Sequence, residues 1–217
     1  MCGGFLMRKT LWLPSWKGWL LLFGLLVLAG LGAVRGIHPF LALDQRVPSD
    51  LLVVEGWVPD YALKQGLDFS VDTHCRYLLL TGGLVSGAVE PEPEDTYGRI
   101  ALQRLKNLGG ETGQVRVVDS PAVMRDRTFS SAVAVRDWLA AEGMAPKSIT
   151  VLTLGTHARR SRLLFQKAFG AKVEVGIISV PDREYDARIW WRSSEGVKEV
   201  LSEGAAYLYA RFLFSAG

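Results

Sequence analysis

Ser148-Ile-Thr-Val-Leu-Thr-Leu-Gly-Thr-His-Ala-Arg-Arg-Ser-Arg162 is the stretch that decides how this chain is read. Ser148 to Leu154 is apolar and β-branched, the composition of a strand buried on both faces. From Arg162 the chain continues Leu-Leu-Phe-Gln-Lys-Ala-Phe169, with apolar residues at helical spacing. A strand that ends at Gly155-Thr156 and turns into a helix delivers His157, Arg159, Arg160 and Arg162 to the first helical turns. In an open α/β sheet that carboxyl edge is where ligands sit. Free backbone N–H groups and the positive helix end favour an anion there.

The same alternation extends on both sides. Strands are expected at Asp50-Leu-Leu-Val-Val-Glu55, Tyr77-Leu-Leu-Leu-Thr81, Gln114-Val-Arg-Val-Val118 and from Lys172 to Val180. Helices are expected from Pro59 to about Val71, Asp95 to Leu108, Thr128 to Glu142 and Ser194 to Phe214. This order predicts an α/β class, Rossmann-like three-layer domain with a parallel sheet of about five strands and right-handed crossovers. Every loop that follows a strand then leaves the same end of the sheet. Those loops carry Glu55-Gly56-Trp57, Gly82-Gly83, Arg125 with Arg127 and Thr128, Thr156-His157 with Arg159 and Arg160, and Asp182-Arg183. The opposite edge holds Thr73, His74, Gly109-Gly110 and Pro146, and the asymmetry marks the pocket end.

Within that edge each residue has a bland and a functional reading. Gly82-Gly83 either makes a turn or brings the backbone close to a ligand; no GK[ST] follows, so it is not a P-loop. Thr128 is placed as an N-cap. Arg127 and Arg160 are candidate anion ligands, Arg160 as a bidentate clamp. His157 is a candidate acid/base, anion ligand or structural histidine, with Glu55 positioning it or a water molecule. Glu195, Glu199 and Glu203 share one helix face. They read as a solvated stripe, in which Glu195, next to Trp190-Trp191, is the one placed to reach the pocket. Glu90, Glu92, Glu94 and Asp95 read as a solvated lid, and no metal is expected. Ser86 lies in Gly-Leu-Val-Ser-Gly, which is not a nucleophile elbow.

The N-terminal segment is of another kind. Trp19 to Val34 contains no charge, with Arg8, Lys9 and Lys17 before it and Arg35 after it. As a helix it spans ~24 Å, short of a ~30 Å hydrocarbon core, and Trp12, Trp16 and Lys17 extend it. An uncleaved anchor is favoured over a cleaved signal peptide. The expected plan is a cytoplasmic segment at 1–18, a transmembrane anchor at 19–35, a linker at 36–49 and an α/β domain at 50–217. The 217 residues, 49% hydrophobic, suffice for one core of domain size, and a formal charge of +3 is too small to imply nucleic acid. Cys2 and Cys75 lie on opposite sides of the apolar run, and no disulfide or cysteine metal site is expected.

Together the anchor, the strand ending Val-Val-Glu-Gly, the Leu-Thr-Gly-Gly stretch, Arg127-Thr128-x-x-x-Ala132 and Thr153-x-x-x-His157-x-x-Arg160-Ser161 resemble the YdcF/SanA/ElyC family of bacterial envelope-associated proteins. The match runs from about residue 50 to 214. It implies a Rossmann-like domain tethered by one N-terminal helix to the bacterial plasma membrane, with the domain extracytoplasmic. It also implies a link to envelope integrity, peptidoglycan assembly or its lipid carrier, and points to Gly82, Gly83, Thr128, His157 and Arg160 as site residues. A soluble member of the family is associated with S-adenosylmethionine. Where the family reads Asn-Thr-x-Glu-Asn-Ala, this chain reads Arg127-Thr128-Phe-Ser130-Ser131-Ala132, and Glu55 stands where a small or apolar residue is usual. These departures imply a subgroup with a more cationic pocket.

Three functions fit these residues. One is a membrane-anchored protein that binds or processes an anionic, phosphorylated cell-wall or lipid-carrier intermediate. The second is a nucleotide- or S-adenosylmethionine-binding module, although GxGxxG is absent and no cofactor is named by the residues. The third is a non-enzymatic envelope scaffold using Tyr207, Tyr209, Phe212 and Phe214.

Overall fold

The computed structural model describes residues 14–85 and 95–215. Cys2, Arg8, Lys9, Trp12, Ser86, Glu90, Glu92 and Glu94 lie outside them. The chain divides into residues 1–36 and residues 37–217. The first unit holds most of helix α1, Trp16–Leu41, whose apolar side chains face outward along its length. At 26 residues α1 would be ~39 Å long, and it is the one described helix long and apolar enough to cross a membrane.

The second unit is the α/β domain. Five strands form a wholly parallel sheet in the order β3-β2-β1-β4-β5, with β1 at Leu51–Glu55, β2 at Tyr77–Gly82, β3 at Val115–Asp119, β4 at Ser148–Leu154 and β5 at Glu174–Val180. Strand side chains alternate between two cores. Leu52 and Val54 join Leu63, Leu78, Leu80 and Leu105 under helices α2, Asp60–Asp72, and α3, Tyr97–Asn107. Leu51 and Val53 join Leu79, Val135, Leu139 and Phe165 under helices α4, Arg127–Ala141, and α5, Ala158–Phe169. Both sheet faces are therefore covered, which is why the strands read as continuous apolar runs.

Residues 36–49 depart from the linker expected of them. Helix α1 continues to Leu41 with Pro39 inside it, and Ile37 and Leu41 pack against Trp190 and Val200. Beyond it, Gln45 pairs antiparallel with Ile177, each N–H donating to the other's carbonyl at 2.8 Å. This pairing covers the open edge of β5, which would otherwise present unpaired backbone groups. The last helix, α6, Ser194–Leu208, is capped by the Ser193 hydroxyl, which accepts from the Gly196 N–H at 3.1 Å, and runs into a single π turn at Tyr209–Leu213. It packs on α5 and on a 3-10 turn, Gly155–His157, at the carboxyl end of β4.

Candidate functional site

Strand order reverses between β1 and β4, whose connections run to opposite faces of the sheet. The crevice outside their carboxyl ends is where a doubly wound sheet opens to a ligand. A cavity of about 580 Å³ opens there. It is lined by Glu55 and Trp57 after β1, Gly82-Gly83 after β2, Arg127 and Thr128 at the start of α4, and His157 and Arg160 after β4. Glu55, Gly82, Gly83, Arg127, Thr128, His157 and Arg160 thus reach one cavity. Arg125, Arg159, Arg162, Asp182 and Arg183 do not line it. Arg159 donates to the Phe40 carbonyl and stacks on its ring, Arg162 donates to the Val175 carbonyl at 2.8 Å, and Arg183 lies over Tyr61.

One wall is a buried lattice of charge. Glu55 is 3% exposed at the end of β1. Its Oε2 accepts from the Thr153 hydroxyl and, at 3.1 Å, from the Ser161 hydroxyl, and it lies 3.6 Å from His157 Nε2. The other ring nitrogen, Nδ1, is 3.0 Å from Glu203 Oε1. Glu203 also takes both prongs of Arg160, Nε to Oε2 at 2.8 Å and Nη2 to Oε1 at 2.9 Å. Trp57 meets the imidazole edge-on, ring centroids 4.9 Å apart.

Burial and the Arg160 guanidinium, whose Nη2 lies 3.0 Å from Nδ1, work against an imidazolium at His157, but the Glu55 charge and the bonds to Glu203 and Glu55 outweigh them and raise the ring to about 9. Burial likewise opposes ionisation of Glu55 and Glu203. The imidazolium reverses this at Glu55, and the bonds from His157 and Arg160 reverse it at Glu203, so both carboxyls fall below their ordinary value. At neutral pH the four groups therefore carry two positive and two negative charges and cancel. Such a histidine is a proton donor rather than a base.

The facing wall is different in kind. Helix α4 starts one residue earlier than expected, and its N-cap is Asp126 in a left-handed conformation (φ 53°). Thr128 is therefore not the cap, and lies inside the first turn, facing the cavity with Arg127 and Ser131. The opening turn of this 15-residue helix is the positive end of its dipole. Gly82 and Gly83 bring backbone to the same wall, and a Cβ on Gly82 would stand 2.7 Å from that of Tyr97. The aromatic and apolar lining comes from Tyr97, Leu84, Met124, Leu164 and Tyr209.

The expectation for the α6 carboxylates needs correction. Glu195 is fully exposed and does not line the cavity. Glu203 is 8% exposed and carries two partners, and Glu199 lines the cavity beside it. Burial, the Glu203 charge and Asp182 raise the Glu199 carboxyl above its ordinary value. The overlooked signal was the company these acids keep. Glu199, Glu203, Ala206 and Ala210 fall on one helical face, and small residues around an acid mark a face that packs closely. Trp190-Trp191 does not cap the cavity: Trp190 is buried with Leu41 and Val200, and Trp191 packs against that cluster. Among the described residues no group of three or more His, Cys, Asp or Glu is arranged to hold a metal. Comparison of the chain with models of known protein families, with characterised proteins and with solved structures finds no match.

Proposed function

We propose that this chain is a membrane-tethered protein of the bacterial envelope, of the YdcF/SanA/ElyC type. In this reading it binds, and by proton transfer processes, an anionic phosphorylated intermediate of cell-wall or lipid-carrier metabolism. Helix α1 crosses the plasma membrane once and the α/β domain lies outside the cytoplasm. The observation that carries the reading is the division of one switch-point cavity into two walls. A phosphoryl group suits the wall made by the first turn of α4, the Thr128 hydroxyl, the Gly82-Gly83 backbone and Arg127. Opposite it, His157 holds a proton at neutral pH and can pass it to a leaving oxygen, while Glu55 and Glu203 keep the ring oriented and stabilise its cationic form. Arg160, engaged by Glu203, acts as part of that support rather than as the free clamp its spacing implied. The nucleotide or S-adenosylmethionine reading has less support, because β2 ends Thr81-Gly82 without the acid that a ribose diol requires.

The test is ligand binding by the full chain in detergent, read as thermal protection and by calorimetry. The probes are phosphorylated sugars, short polyprenyl phosphates, their unphosphorylated alcohols, nucleotides and S-adenosylmethionine. A phosphorylated sugar or lipid should protect and its alcohol should not. Arg127→Ala should weaken that binding by roughly 10- to 100-fold, the worth of a hydrogen bond to a charged group. Equal protection by the alcohols, or protection by S-adenosylmethionine alone, would overturn the reading.

A further inference from the structure

Helix α6 presents three faces, and the cavity and the fold use two of them. Glu199, Glu203 and Ala206, with Ala210 beyond, face the cavity. Val200 and Gly204 receive the end of α1: Val200 shares a buried cluster with Leu41, and a Cβ on Gly204 would lie 3.6 Å from Ile37 and 3.9 Å from Leu41. Phe40 meets Tyr207 edge-on at 5.5 Å. The third face carries Leu201, Ala205 and Leu208, spaced i, i+4 and i+7 in one stripe, and Phe212 follows in the π turn. All four are exposed; Leu201 and Leu208 are each 56% exposed and Phe212 is 73% exposed, with Leu213 beyond it at 76%.

A helix in a soluble domain normally turns such a stripe inward, and here the acids face inward instead. A row of large apolar side chains left in water marks a surface that meets something apolar. Its position on α6 says what that is. The stripe flanks the face that receives Ile37, Phe40 and Leu41, the residues through which the membrane-crossing helix enters the domain. Exposed Lys198 and Arg211 border it, and the Arg211 guanidinium lies 5.9 Å from the Phe212 ring centroid. Cations beside an apolar stripe fit the boundary between headgroups and acyl chains.

We propose that the surface made by Leu201 and Leu208 of α6 and by Phe212 and Leu213 of the π turn after it docks onto the lipid bilayer, so that the α/β domain rests on the membrane rather than hanging from its anchor. This rests on the reading of α1 as a membrane span. One helix then carries Glu203 and Glu199 on the cavity side and its lipid contact on the other. The consequence for the cavity, whose rim includes Tyr209, is access from the interfacial layer, where an amphiphilic substrate resides.

The experiment places a single bimane-labelled cysteine at Leu208→Cys, at Phe212→Cys or, as a water-facing control, at Asp68→Cys. Each is made in the full chain with Cys2→Ser and Cys75→Ala and reconstituted in phosphatidylcholine–phosphatidylglycerol vesicles containing shallow nitroxide lipids. Loss of fluorescence at positions 208 and 212, with none at position 68, is the expected result. Vesicle-bound protein with no lipid quenching at positions 208 and 212 overturns the dock and leaves the anchor standing. Shielding of these labels that follows protein density and not nitroxide content assigns the stripe to a second copy of the chain and also overturns the dock. Protein that fails to float with vesicles overturns the anchor and the dock together. Because Leu208 and Phe212 are exposed, their replacement leaves the cores intact, and circular dichroism of the labelled chains verifies it.

Discussion

The two walls of the cavity make opposite use of charge. On the α5–α6 side, Glu55, His157, Glu203 and Arg160 are each held by another member of the set, and their charges cancel. On the β2–α4 side, the polar lining includes backbone, the hydroxyls of Thr128 and Ser131, and Asp126 beside Arg127 at a helix start. The first arrangement is rigid and self-satisfied, and its worth lies in fixing the protonation state of one ring. The second, where the Ser131 hydroxyl already donates to Ser120 at 3.2 Å, turns the start of a helix and the Thr128 hydroxyl toward the cavity. The difference teaches that an arginine count at a sheet edge overstates the positive charge available to a ligand, because a carboxylate from a distant helix can absorb it.

The largest effect expected from this contrast is on stability. Glu203→Ala leaves the buried His157 and the partly buried Arg160 without their shared partner, and should cost roughly 3–5 kcal/mol in chemical denaturation. A cost below about 1 kcal/mol would break the contrast by showing the lattice to be solvated.

The pH dependence comes next. His157 rises from an ordinary 6.5 to about 9 on folding, so its protonation stabilises the fold. That contribution is complete below about 6.5 and is lost as pH rises through about 9, a decline on the order of 3 kcal/mol. Glu55 and Glu203 are shifted the other way, so their contribution is present above the ordinary carboxylate range and is lost as pH falls below it. Denaturation midpoints against pH should form a plateau near neutrality. Glu55→Gln should move the imidazole titration, read by NMR, toward 6.5; an unmoved titration would remove Glu55 from the lattice.

Gly56→Ala is expected to cost about 1–3 kcal/mol. The added Cβ would stand 2.4 Å from the Tyr97 carbonyl oxygen, so α3 must shift away from β1. A melting temperature equal to wild type would show that this junction gives freely. The smallest effect on stability belongs to Arg127→Ala, within about 0.5 kcal/mol of wild type, although it should reduce binding of phosphorylated ligands more than any other single change on its wall. If it destabilised the fold as much as Glu203→Ala, the two walls would not differ in kind.

Much of this was legible in the linear chain. The β-branched run from Ser148 to Leu154 and its four counterparts mark the strands, because a parallel strand covered on both faces must be apolar throughout. The direction of a parallel sheet then sends Glu55, Gly82, Gly83, Arg127, Thr128, His157 and Arg160 to one edge without knowledge of any side-chain contact. The helix start at Arg127 was misplaced by one residue because Thr128 is a good cap by type, whereas the chain turns at Asp126 through a left-handed conformation. By sequence alone residues 36–49, which contain Pro39 and Pro48, read as a linker, but a helix can carry a proline where packing holds it, and Gln45 pairs with Ile177 across more than a hundred residues.

Periodicity and direction are written in the linear chain: five strands, their helices, the apolar N-terminal run and the edge at which the chemistry gathers. These follow from interactions between near neighbours and from the geometry common to every parallel sheet. The rotation of α6 was decided only in three dimensions. Its acids at i, i+4 and i+8 look like a solvated row, yet two of them face the cavity while Leu201, Leu208 and Phe212 face out. A helix chooses its buried face by the partners it meets. Here His157 and Arg160, in the turn after β4 and the first turn of α5, both engage Glu203, and that pairing turns the acids of α6 toward the cavity.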